Sequence, residues 1–144
     1  MKKRIIITAA AFGVLAVIAG AFGAHALQGL LSQKNIDVWH TAVQYQFYHV
    51  FALLYLSTLT RYRTRFINDC YYMFTFGIVF FCGSLYLLSC REILDWRWLP
   101  VMGPVTPLGG LFFIAGWVTL GIAALKNKLS EAVSRTPLKN KQKT

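Results

Sequence analysis

The chain has 144 residues, 56% of them hydrophobic, with 15 lysines and arginines against five acids and a net charge of +10. The charges fall at 2–4, 34–37, 61–69, 91–97 and beyond 125, and the intervals between them are apolar. That pattern excludes a soluble core and a nucleic-acid surface, and it is the pattern of one membrane domain whose basic groups flank its spans.

Met1-Lys-Lys-Arg4 is followed by 29 residues without formal charge, Ile5 to Gln33. About 20 residues cross the hydrocarbon, which predicts a first span over about 5–27. On a helical wheel Ala9, Gly13, Ala16, Gly20, Gly23 and Ala24 share an arc of about 100°, opposite Ile7, Val14, Leu15, Ile18 and Phe22. Small residues on one face let a second helix approach closely. The basic start and Ala24-His25-Ala26 also have the shape of a cleavable signal segment. The apolar run is longer than such segments carry, so it reads as a retained span.

Asn35 or Asp37 is expected to cap a second span over about 38–60. This stretch has no formal charge from Val38 to Thr60, yet it carries His40, Thr41, Gln44, Tyr45, Gln46, Tyr48, His49 and Tyr55. All of these except Gln46 occupy one half of the wheel, and Val43, Phe47, Val50 and Leu54 fill much of the other. The polar half is expected to face the bundle and the apolar half the lipid, because hydrocarbon offers polar groups no partners.

A third span over about 70–90 is rich in aromatic residues, with Asn68-Asp69 as its expected cap and Cys70, Gly77 and Ser84 as a seven-residue packing seam. The three cysteines, Cys70, Cys82 and Cys90, all lie on this stretch, too far apart along one helix to pair. Trp96 and Trp98 among charges read as an interfacial turn. Three prolines between Pro100 and Pro107 break the helix, and Thr106 with Pro107 marks the start of a fourth span over about 106–125. This gives a four-span domain over 1–126 and a basic, mobile tail over 127–144. Gly83, Gly109, Gly110 and Gly116 join Gly13, Gly20 and Gly23 as candidate packing positions.

Four spans put both termini and the middle loop on one side, with twelve lysines and arginines against three on the other. The positive-inside rule makes that side cytoplasmic. The fold class is therefore an all-α integral membrane four-helix bundle with cytoplasmic termini.

The candidate polar cluster is His25, His40, Thr41, Gln44, Tyr45, Tyr48 and His49. Three uses of it compete. In the first, neutral side chains hydrogen-bond across helices in a non-enzymatic structural or accessory component. In the second, His40, Gln44, Tyr48 and His49 carry protons or a small solute, although no carboxylate lies within the spans. In the third, His25, His40 and His49 hold haem or a metal. That geometry is poor, because His40 and His49 are about 180° and about 14 Å apart on one helix. No cofactor and no metal site is assigned. The catalytic motifs HExxH and GxSxG, phosphate-binding glycine loops and dinucleotide fingerprints are absent from the sequence.

Four stretches in order resemble one family. They are Gly20-Ala-Phe-Gly-Ala-His-Ala-Leu27, Trp39-His-Thr-Ala-Val-Gln-Tyr-Gln-Phe-Tyr-His49, Gly83-Ser-Leu-Tyr-Leu-Leu88 and Gly103-Pro-Val-Thr-Pro-Leu-Gly-Gly-Leu-Phe-Phe-Ile-Ala-Gly-Trp117. The family is domain of unknown function 423, small integral membrane proteins with bacterial inner-membrane members and a eukaryotic relative. The resemblance covers about residues 1–126 and implies four spans, the first retained, in a bacterial inner membrane. It implies no reaction. Expected partners are the bilayer and a second copy or a larger membrane complex, not nucleic acid.

Overall fold

The computed structural model describes residues 2–59, 64–94 and 103–135, without the side chains of 64 and 127–135. The turn with Trp96 and Trp98, the start of the proline break at 100–102 and the residues after 135 lie outside these. The described residues form helices and short turns, with no β-strand.

Helix α1 is Lys2–Ala21, extended by a π-helical turn, Phe22–Ala26. Helix α2 is Gln33–Thr58. Helix α3, Thr64–Gly77, passes through a second π-helical turn, Ile78–Cys82, into α4, Gly83–Ser89. A short α5, Arg91–Leu94, follows, and α6 is Val105–Arg135. Three of these rods are long and apolar enough to cross a membrane: Lys2–Ala26, Arg65–Ser89 and Val105–Lys126. The fourth, α2, has 26 residues, and its histidines, glutamines and tyrosines lower its apolar character.

Helix α1 packs on α2, α2 packs on α3 and α4, and α6 packs on α3 and its π-helical turn. The largest fully buried side chains are Phe74, Ile5, Leu53, Leu56 and Ile67.

Helix boundaries differ from the sequence reading in three places. Helix α2 starts at Gln33, with Ser32 in the capping position, so Asn35 and Asp37 lie inside the first turns. Helix α3 starts by Thr64, so Asn68 and Asp69 are likewise internal and cap nothing. Helix α6 starts at Val105, and the Thr106 hydroxyl bonds Ser84 Oγ at 2.7 Å instead of capping its own helix. Pro107 still falls in the first turn, where its missing N–H leaves no bond unmade. At its far end α6 runs past Leu125 to Arg135.

The small face of α1 is where the wheel puts it. Ala9, Ala16 and Gly23 are buried, and Ile7, Val14, Leu15, Ile18 and Phe22 are exposed. Ala24 is the exception and is exposed, since the π-helical turn rotates the chain off the 100° step.

Candidate functional site

The polar residues of α2 do not divide as the wheel suggests. Gln46 and His49 are buried, while Thr41, Gln44, Tyr45 and Tyr48 are exposed and His40 is half-buried. Val43 and Val50, expected against lipid, are buried against α1. The inward face is therefore Ala42, Val43, Gln46, His49, Val50 and Leu53. The reason is shape. Lipid tails are as apolar as a valine, so burying valine gains little, and close van der Waals fit decides which face packs. Branched valines opposite the small face of α1 supply that fit.

His49 is buried, as Gln46 is. Its Nδ1 lies 2.8 Å from the carbonyl of Tyr45, and Nε2 accepts the indole N–H of Trp117 at 3.3 Å. An indole nitrogen can only donate, so Nε2 carries the lone pair and Nδ1 carries the proton. This is a neutral imidazole with both nitrogens occupied. Its ring stacks on Phe113 at 3.4 Å and 10°, and Phe74 lies 5.5 Å away at a tilt. Such aromatic pairs contribute about 1 kcal/mol each beyond burial.

Gln46 joins three helices. Its Nε2 donates to the carbonyl of Phe12 on α1 at 2.8 Å, and its Oε1 accepts the Tyr86 hydroxyl of α4 at 2.8 Å. The Tyr86 ring packs on Trp39 at 4.6 Å, and the Trp39 indole donates to the carbonyl of Ala19 at 2.8 Å. Beside this group is an apolar cleft of about 370 Å³ between α1, α2 and α4, lined by Phe12, Leu15, Trp39, Gln46, Cys82 and Tyr86.

The bundle ends are tied separately. Thr8 and Tyr71 hydroxyls lie 3.0 Å apart, and Arg4 sits over the Tyr71 ring at 4.7 Å. At the other end Glu92 accepts the backbone N–H of Ser32 at 3.2 Å and its hydroxyl at 3.1 Å. The backbone N–H, foremost, holds the Glu92 carboxyl below its usual pKa.

The remaining candidates sit apart. His25 is exposed on the first π-helical turn. His40 lies beside Gly23. No group of three or more His, Cys, Asp or Glu is placed to hold a metal among the described residues. Cys70 and Cys82 are buried, Cys90 is half-buried, and all three are free thiols.

The seam along α3 and α4 meets α6 at each level. Cys70 Sγ lies 3.6 Å from the carbonyl of Gly116, Gly77 faces Phe113, and Ser84 meets Thr106. A side chain on Gly109 would collide with the backbone of Phe81, and one on Gly116 would meet Phe74 at 2.5 Å. On Gly23 it would meet Trp39 at 2.6 Å. At Gly13, Gly20 and Gly110 the same test finds ordinary contact, and at Gly83 open space.

Sequence reasoning missed Tyr86, Trp117 and Phe113, which reach the site from other helices. Gln46 did leave a signal. It is the one glutamine on the apolar half of its helix, and an isolated polar group there has a specific partner.

Comparison with known proteins gives a family and no activity. A UPF0382 membrane protein of Staphylococcus epidermidis is 41% identical over 124 residues, 86% of this chain and 97% of the relative. A UPF0382 membrane protein of Staphylococcus haemolyticus is 40% identical over the same length. YwdK, a UPF0382 membrane protein of Bacillus subtilis, is 40% identical over 126 residues, 86% of this chain and 98% of the relative. No solved structure is significantly similar. The model of the family "Protein of unknown function (DUF423)" matches residues 19–110. With its apolar helices and these relatives, the chain is a membrane protein of the DUF423 family.

Proposed function

We propose that the protein is a non-enzymatic component of the bacterial inner membrane that crosses the bilayer four times, keeps both termini in the cytoplasm and works through contacts between helices. The environment of His49 carries this reading. A relay histidine needs a ring nitrogen that can exchange its proton with a neighbour, and a metal ligand needs a free lone pair. Here the lone pair accepts from Trp117 and the N–H closes on the residue's own helix. What remains for His49 is to fix α2 against α6.

The fourth crossing rests on α2, whose 26 residues rise about 39 Å, more than the hydrocarbon thickness. Two of its three buried polar residues, Gln46 and His49, are hydrogen-bonded inside the bundle, which removes most of the cost of placing them there. The sidedness rests on the twelve-to-three distribution of basic residues.

Purified protein in sealed vesicles tests the reading. Proton flux should equal that of protein-free vesicles. His49→Leu should lower the free energy of unfolding by about 1–3 kcal/mol, because the Trp117 N–H is left unpaired. A proton flux abolished by His49→Leu at unchanged stability would replace this reading with conduction. A haem band in the pure protein, lost in His40→Ala, would replace it with a redox-cofactor subunit. A reporter fused after Thr144 and active outside the cytoplasm would overturn the sidedness.

A further inference from the structure

We infer that the outward face of α2 is a self-association seam, occupied by α2 of a second copy of this chain. This rests on the contact reading above and names its partner.

Thr41, Gln44, Tyr48, Phe51, Tyr55 and Thr58 are all exposed, with Tyr48, Phe51 and Tyr55 at 57%, 62% and 56%. Their spacing alternates three and four residues, which is the a/d register of a left-handed helix pair. Five of the six are polar. Within α2, Thr41 bonds the carbonyl of Asp37 and Thr58 that of Tyr55. Among the described residues no hydrogen bond reaches the Gln44 amide or the Tyr48 and Tyr55 hydroxyls, although the Gln46 amide and both ring nitrogens of His49, which face the bundle, have partners.

The other outward faces differ. Helix α1 presents Ile7, Val14 and Ile18, and α6 presents Leu111, Ile114 and Val118. Those faces suit lipid tails. A seam of tyrosines and a glutamine does not, because hydrocarbon leaves every one of its donors unmet.

The chemistry selects a second copy. The bilayer gives all copies one orientation, so two of them meet about a two-fold axis along the membrane normal, each seam residue at the depth of its own twin. A carboxamide both donates and accepts, so Gln44 against Gln44 closes two hydrogen bonds. Tyrosine and threonine hydroxyls are self-complementary in the same way. The seam carries no charge, so nothing opposes like meeting like. The paired carboxamides of Gln44 also fix register, as a buried asparagine does in soluble coiled coils.

Disulfide trapping of the full chain in native membranes tests this. Gln44→Cys and Tyr48→Cys should form covalent dimers on copper-phenanthroline oxidation. Val14→Cys, Val118→Cys and the wild-type chain, with its three native thiols, should not. In detergent, Gln44→Leu should weaken self-association about tenfold, at about threefold for each of two bonds, with an unchanged unfolding midpoint. Dimers trapped equally at Val14 or Val118, or at no position, would overturn the seam. A trapped adduct with a protein of different mass would overturn the second copy and leave the contact reading standing. Labelling of Gln44→Cys and Tyr48→Cys by a membrane-impermeant maleimide would place the stripe in water and overturn both.

Discussion

Two helix pairs in this protein carry the same small-residue signature and use it differently. In the pair formed by α1 and α2, Gly13 and Gly20 stand 3.6 and 3.7 Å, measured from where a Cβ would be, from Val50 and Val43. That is ordinary contact, and the tight approach on this side is Gly23, in the π-helical turn beyond α1, to the Trp39 ring. The pair is held instead by two side-chain donors that reach across to backbone carbonyls, Trp39 to Ala19 and Gln46 to Phe12. In the pair formed by α3 and α6, Gly77, Gly109 and Gly116 each face atoms that leave no room for a methyl group. Phe81, whose backbone lies against Gly109, belongs to the widened turn at Ile78–Cys82. One pair is fastened by polar groups and the other by glycines seated against aromatic rings and, at Gly109, against backbone. A glycine motif in a membrane helix therefore says that close packing is available, not that it is used.

The sharpest way to break this comparison is Gly109→Ala. A rigid backbone cannot yield as a side-chain tip can, so the variant should lose about 3 kcal/mol of stability to unfolding in SDS, measured by titration in detergent micelles. A loss under about 0.5 kcal/mol would mean that the helices separate freely and that backbone approach is not what holds them. Gln46→Leu comes next. It leaves the Tyr86 hydroxyl without its acceptor and removes the tie to Phe12, at a cost of about 1–2 kcal/mol. Adding Tyr86→Phe should recover part of that loss, and a double-mutant cycle without coupling would remove the hydrogen bond from the account. The smallest effect belongs to Gly13→Ala. The new methyl fits, and alanine is the better helix former, so stability should stay level or rise by about 0.5 kcal/mol. A clear destabilisation there would make the two pairs alike.

The legible part of the site was its contents, not its direction. His49 was singled out among them, and the fold buries it. The outward turn of Gln44, Tyr45 and Tyr48 was not legible, because in a bilayer polarity alone does not choose the buried side. It competes with fit, and Val43 and Val50 against the small face of α1 win that competition. The α3–α6 seam was legible because Cys70, Gly77 and Ser84 are small at a seven-residue spacing, so chemistry and shape point the same way. Both π-helical turns were invisible. Nothing in Phe22–Ala26 or Ile78–Cys82 demands the wider turn locally, and each lies at a close contact with another helix, Gly23 with Trp39 and Phe81 with Gly109.

By itself the sequence determined the helical class, the membrane setting and three of the apolar spans. These follow from local quantities: runs of uncharged residues, their length against the hydrocarbon thickness, and the sites of the breaks. The tertiary structure decided which face of α2 turns inward, which glycines are in tight contact, and that His49 is closed by Trp117 on another helix. Those outcomes depend on groups 68 residues apart meeting in one layer, and no local periodicity encodes the meeting.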